Sequence, residues 1–170
     1  AGKLALNLVE RFGAKTLKPR IYELVYGHLQ LWKEHLRTTL EPLQQAIDSG
    51  IETGEMEYAS YSALLYCNHL LFVGEPLGVV AQKHQQYLDM IQQFKQLFHL
   101  YFLKIWQHTV SQLMGQVSRS AGPLKEVKFD EAEIFAILLQ ANNRSSLFAF
   151  HLSKCILHYL FKNYTQAVEQ

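Results

Sequence analysis

Apolar side chains recur at three- and four-residue intervals along nearly the whole chain, and this helical period limits the possible folds more than any other feature. Alternating strand patterns are scarce, and no Asn-Gly or Asp-Gly hairpin pair occurs. Residues 55–73 are apolar almost all round, so a helix there must be packed between others. We therefore predict an all-α fold, an antiparallel array of about nine helices joined by short turns.

The composition favours a packed domain and excludes some classes of partner. Apolar residues make up 49% of the 170 residues and charged residues 18%, below the roughly 25% of typical soluble domains. Sixteen Lys and Arg balance fifteen Asp and Glu, and they form no basic stripe. Because nucleic-acid binding needs such a stripe to neutralise phosphates, we expect no nucleic-acid partner.

Glycine, proline and capping residues predict where the helices begin and end. Proline suits the first turn of a helix, and glycine suits the residue just after its end. We expect a first helix over residues 3–12, with Leu4, Leu8 and Val9 on one face and Gly13 at its end. Pro19 opens the predicted second helix, Thr38 or Thr39 caps a third that ends between Gly50 and Gly54, and Gly74 and Pro76 stop a fourth over residues 55–73. Further along, the sequence predicts a break near residues 92–96, an N-cap at Asp130, a turn at residues 141–143, a helix over residues 145–161 and a last helix from Tyr164.

Two turn motifs are typical of helix-pair repeats. In Gly54–Ala59 and again in Lys162–Ala167, a turn residue is followed five positions on by alanine, a small residue that lets two helices approach closely. The spacing between the two motifs is about three repeat units of the usual 34–40 residues. Other positions of the tetratricopeptide pattern are poorly kept. We interpret the chain as a degenerate tetratricopeptide-like array, with an irregular bundle as the alternative.

We predict one domain spanning residues 1–170, with a loop at residues 118–129 separating two sub-blocks. The clearest part of the loop is the run Ser-Arg-Ser-Ala-Gly-Pro at residues 118–123. We also expect a piece of a longer protein, because the chain begins without methionine and its final helical pattern stops at Gln170.

The histidines and cysteines predict no catalytic, cofactor-binding or metal-binding residue. His28 and His35, like His151 and His158, are seven residues apart, which places each pair on one helix face but too far apart to share an ion. Glycine loops for phosphate and nucleophile motifs are absent. We expect a non-enzymatic chain without a cofactor.

Two cysteines, Cys67 and Cys155, lie inside apolar helical runs and are expected to be reduced, buried thiols. The most apolar run, residues 97–106, is too short for the ~20 residues of a membrane span. We expect no membrane span and a cytoplasmic location.

His151 suggests one sharper hypothesis. A histidine with Lys154 three residues on resembles the phosphate-accepting segment of histidine phosphotransfer domains, in which the lysine would stabilise the phosphoryl group. Those domains follow the lysine with glycine, whereas Cys155 and Ile156 follow here.

Two long runs carry a resemblance to a family. They are HLRTTLEPLQQAIDSGIETGEMEYASYSALLYCNHLLFVGEP at residues 35–76 and FDEAEIFAILLQANNRSSLFAFHLSKCILHYLFKNYTQAVEQ at residues 129–170, with its Asn142-Asn143 turn and its closing motif from Tyr164 to Ala167. They resemble a helical region of large cyanobacterial-type signalling proteins that combine a serine/threonine kinase, a STAND-type or AAA-like predicted ATPase, this region, a GAF domain and a histidine kinase. The resemblance covers roughly residues 17–170. It implies a helical sensor or relay segment, and the catalytic residues of that family lie in other domains.

The leading hypothesis is therefore a non-enzymatic interaction and relay segment of a multidomain signalling kinase. Its expected partners are flanking domains or another protein, with self-association through exposed apolar surface as a further expectation. The alternatives are a phosphotransfer element centred on His151 and a small-ligand sensor with an aromatic-lined pocket.

Overall fold

A computed structural model describes residues 2–115 and 129–170, and these residues form nine α-helices and no strand. The predicted all-α fold is thereby confirmed. The helices are α1 Gly2–Arg11, α2 Lys18–Leu24, α3 Leu40–Thr53, α4 Met56–Phe72, α5 Leu77–Gln93, α6 Leu97–Leu113, α7 Glu131–Gln140, α8 Arg144–Leu160 and α9 Tyr164–Val168.

The chain divides into two compact units, residues 1–96 and residues 97–170. The division falls at the predicted break, since α5 ends at Gln93 and α6 begins at Leu97. The predicted loop at 118–129 lies, except for Phe129, outside the described residues. That loop and the single domain over residues 1–170 stay predictions.

In the first unit, α3 and α4 form the helix pair that the turn motif predicts. Gly54 ends α3 with φ of +81°, a left-handed conformation that glycine adopts without strain. Ala59 is fully buried, and a Cβ placed on Gly50 would lie only 2.8 Å from the Ala59 Cβ. The two helices therefore cross where glycine faces alanine.

The start of α3 differs from the prediction. Thr39 occupies the N-cap position, but its side chain makes no capping bond. Its buried hydroxyl donates to the Leu36 carbonyl at 2.7 Å and lies 2.7 Å from His69 Nδ1 on α4. Thr38 bonds back to the His35 carbonyl. Neither threonine caps α3, because the Thr39 hydroxyl is hydrogen-bonded to the Leu36 carbonyl and to His69 of α4 instead.

The second helix begins as predicted, with Pro19 in its first turn, but it does not stay α-helical. Val25–Leu29 form a π-helical turn, closed by the Gln30 N–H donating to the Val25 carbonyl. A 3-10 turn follows at Gln30–Trp32, and a second one occupies Leu36–Thr39.

In the second unit, α6, α7 and α8 enclose a core of Ile105, Ile134, Leu138 and Phe150. Asp130 caps α7 as predicted, because its side chain accepts from the Ala132 and Glu133 N–H groups.

The turn and motif predicted near the end of the chain also form. Asn142 has φ of +49° in the turn between α7 and α8, and Asn143 caps α8 by accepting from the Ser146 N–H. The echo of the turn motif forms too, with Lys162 at φ of +64° before α9. The tetratricopeptide-like regularity of the array stays a prediction.

Candidate functional site

Helix α8 presents an apolar side opposite to its buried side. Ser146, Ala149, Phe150 and Ser153 are buried. The opposite side contains four residues at helical spacing, which we call the α8 face: Phe148, Leu152, Cys155 and Tyr159.

The α8 face is open and uncharged. Phe148 is 68% exposed and Tyr159 is 64% exposed, while Leu152 and Cys155 are half-buried. The face continues toward α9, since the Tyr159 and Tyr164 rings meet edge-on at 5.7 Å. A helix that is apolar on most sides is usually packed on those sides, but the Phe148 and Tyr159 side chains of α8 are left exposed.

Helix α1 has a similar exposed stripe. We call Leu4, Leu8 and Phe12 the α1 stripe; they are 65%, 43% and 73% exposed. The predicted shared face of Leu4, Leu8 and Val9 is wrong, because Val9 is buried while both leucines face outward. An isolated apolar residue on a surface is ordinary, whereas a contiguous exposed apolar patch is typical of an interaction site.

Three of the eight histidines are buried in the helical packing rather than placed at a site: His69, His84 and His99. His69 pairs with Thr39, and His84 Nδ1 donates to the Val80 carbonyl at 2.9 Å. Burial lowers the pKa of each of these three imidazoles to about 4.

The predicted common face of His28 and His35 is wrong. The α-helix gives way to the π turn and the 3-10 turn after Leu24, and the exposed His35 caps the next 3-10 turn by accepting from the Arg37 N–H. His28 instead pairs with Glu23 through its Nε2 atom at 2.9 Å. His151 and His158 do lie in one continuous helix, α8.

The contact between Glu23 and His28 was not predicted from the sequence. Side chains five residues apart do not meet on an α-helix, so the spacing of these two residues did not indicate a contact. A glycine inside the helical pattern, Gly27, was the one local hint of irregular backbone.

His151 lies in an aromatic environment. Its ring meets Phe135 and Phe150 edge-on at 5.8 and 5.7 Å, and its Nδ1 atom is buried. Lys154 Nζ, the supposed phosphate partner, donates to Glu131 at 3.0 Å. The structure thus packs the histidine and pairs the lysine with a carboxylate.

The second unit contains a groove. Its volume is about 580 Å³ and its wall is mostly apolar, but it is open rather than enclosed. It is lined by Leu97, Phe98, Tyr101, Ile137, Asn142 and Arg144 among others.

Metal-binding and membrane-spanning features are not found in residues 2–115 and 129–170. No three His, Cys, Asp or Glu side chains come together there in a way that could hold an ion. None of the described helices combines the length and hydrophobicity that crossing a membrane requires. Both cysteines are free thiols; Cys67 is buried, and burial raises its pKa.

Comparison with known proteins gives one relative. The chain is 28% identical over 111 residues to hybrid signal transduction histidine kinase G of Dictyostelium discoideum. The match spans 65% of this chain but only 3% of that protein. No protein-family model and no solved structure matches significantly. The similarity is thus to a small part of a signal-transduction protein.

Proposed function

We propose that this chain is a non-enzymatic protein-interaction and relay segment of a multidomain signal-transduction kinase, and that it docks neighbouring domains through the α8 face and the α1 stripe. The observation that supports this most is the α8 face, an uncharged row on a helix whose other side is in a core. The similarity to a hybrid histidine kinase supports the signalling context.

The exposed aromatic residues are large enough to matter energetically. Phe148 and Tyr159 each expose about two thirds of their surface. Covering them would remove roughly 100–150 Å² of mostly apolar surface each, a gain of about 3 kcal/mol per side chain before ordering costs. Large aromatic anchors of this kind commonly dominate the energy of an interface.

Two docking surfaces, one in each unit, suit a relay better than a terminal binding module. A relay needs one contact to receive a signal and another to pass it on. Such coupling requires that the partner bind two arrangements of the array with different affinity. The partners that fit are the flanking domains of a signalling kinase, each presenting a matching apolar patch.

The phosphotransfer alternative is weaker, since it requires an exposed His151 and an available Lys154. The half-buried His151 ring lies against Phe135 and Phe150, and Lys154 is paired with Glu131. Small-ligand sensing has some support from the groove beside Tyr101 and Arg144, whose volume falls in the range of ligand sites. Its openness makes it the second candidate.

A titration tests the proposed function. The chain would be titrated calorimetrically with each separately purified domain that adjoins it in its parent polypeptide. We expect binding by the wild type and at least a tenfold loss with Phe148→Ser/Tyr159→Ser, since hot-spot truncations commonly cost 2 kcal/mol or more.

Glu133→Ser, an exposed change on α7 away from this face, is the matched control and should bind normally. The proposal fails if no adjoining domain binds the wild type, or if both variants bind equally well. A wild-type chain that only self-associates, with loss of association in the double variant, would assign the α8 face to a second copy instead.

A further inference from the structure

The Glu23–His28 pair and the π turn depend on each other geometrically. Glu23 is 4% exposed, and its Oε1 atom lies 2.9 Å from His28 Nε2. In an α-helix, residues five apart point to different sides, and only those three or four apart are neighbours. The π turn between them, with its five-residue bond from Gln30 N–H to the Val25 carbonyl, brings the two side chains together.

The same turn supports helix α1. A Cβ placed on Gly2 would lie 3.4 Å from Val25 Cγ1 and 3.6 Å from Leu29 Cδ1. The start of helix α1 therefore lies close to side chains from both ends of the π turn. The turn thus helps to hold α1, which carries the exposed leucines of the α1 stripe.

Charged and titratable groups from other helices also face this region. His69 on α4 is close enough to His28 that, after burial, His28 is the second cause of its lowered pKa. Tyr61 on α4 faces Glu23, and Glu10 on α1 faces Tyr26 of the turn. The pair thus lies within electrostatic reach of His69 and Tyr61 on α4.

We propose that the Glu23–His28 pair is a latch that holds the π turn, and that releasing it opens the turn and loosens helix α1, which carries the α1 stripe. Single π turns of this kind are frequently found at functional sites. Leu29, whose side chain lies beside Gly2 at the start of α1, would then be free to move.

The regulatory meaning of the latch rests on the proposed function, but its mechanics can be tested without a partner. Hydrogen exchange of the isolated chain would be measured for wild type, His28→Leu and the control Lys33→Ala, an exposed position just after the turn. We expect exchange of the Leu29 and Gln30 amides to become roughly tenfold faster or more in His28→Leu, since a hydrogen bond to a charged group is worth at least that factor. Exchange in α1 should change too, and Lys33→Ala should match the wild type.

A double variant keeps the test decisive if His28→Leu does not fold. Glu23→Leu/His28→Leu removes the buried carboxylate together with its partner, a replacement that is often tolerated. If the pair is a latch, amide exchange in the turn and in α1 becomes faster in this variant, while the amides of α3 and α4 stay protected. Wild-type protection of Leu29 and Gln30 in this variant would overturn the latch. A working latch in a chain that binds no adjoining domain would instead refute only the proposed function.

Discussion

The crossing of α3 and α4 gives the sharpest quantitative test of the fold. Replacing Gly50 by alanine would place a Cβ 2.8 Å from the Ala59 Cβ, 3.1 Å from the Glu55 carbonyl oxygen and 3.2 Å from the Ala59 Cα. Carbon atoms prefer about 3.5–4.0 Å. None of these neighbours can rotate away, because all belong to the backbone or are fixed directly to it, so the helices must separate.

The expected cost follows from two opposing effects. Overpacking of this kind costs about 1–3 kcal/mol. Alanine is the better helix former by about 1 kcal/mol, which offsets part of that cost. Gly78→Ala is the matched control, since Gly78 also lies in a helix and its Cβ would meet nothing within 4 Å. Gly50→Ala should therefore be less stable than Gly78→Ala by roughly 1–3 kcal/mol.

Urea unfolding followed by circular dichroism would measure both free energies, and a double-mutant cycle would locate the cause. Adding Ala59→Gly removes the nearest clashing atom, so the Gly50→Ala/Ala59→Gly pair should show a favourable coupling of about 0.5–3 kcal/mol. Equal stability of Gly50→Ala and Gly78→Ala, or strictly additive effects in the cycle, would refute the close crossing.

Three further outcomes are expected. Gly54→Ala should cost about 1 kcal/mol although nothing crowds its Cβ, because alanine is strained at φ of +81°; an unchanged unfolding midpoint would contradict this. Asp130→Ala should destabilise the second unit by about 1 kcal/mol while Asp130→Asn, which keeps an acceptor, should not, as thermal melts would show. Burial holds the pKa of His69, His84 and His99 near 4, below the ordinary value, so the folded state loses stability relative to the unfolded state as the pH falls from about 6.5 toward 4. For His84, which is fully buried, the free energy of unfolding should fall by roughly 2 kcal/mol between pH 7 and pH 5, and His84→Gln should remove this part of the pH dependence.

Local signals in the sequence account well for where the helices lie. Gly54, Pro76 and Asp130 each act through their own backbone or side-chain chemistry, and the structure places all three at the predicted boundaries. Thr39 failed as a cap because a partner from α4, His69, competes for its hydroxyl. Because His69 lies thirty residues from Thr39 along the chain, the sequence around Thr39 does not indicate this contact.

The sequence predicted only part of each proposed interaction surface. The sequence showed that the last long helix lacks a polar face, but periodicity alone does not say which apolar side is covered. On α8 the covered side proved to be that of Phe150 and the open side that of Phe148. On α1 the expected grouping of Leu8 with Val9 was wrong for the same reason.

The sequence by itself determined the helical class, the main turns and the absence of recognisable catalytic motifs, because these depend on period, glycine, proline and capping residues close together in the chain. Only the tertiary structure decided that Gly50 is a crossing point, that Glu23 meets His28 through a π turn, and which apolar rows stay open. Those features depend on contacts between residues distant in sequence or on a departure from the regular helical period, which local spacing does not reveal.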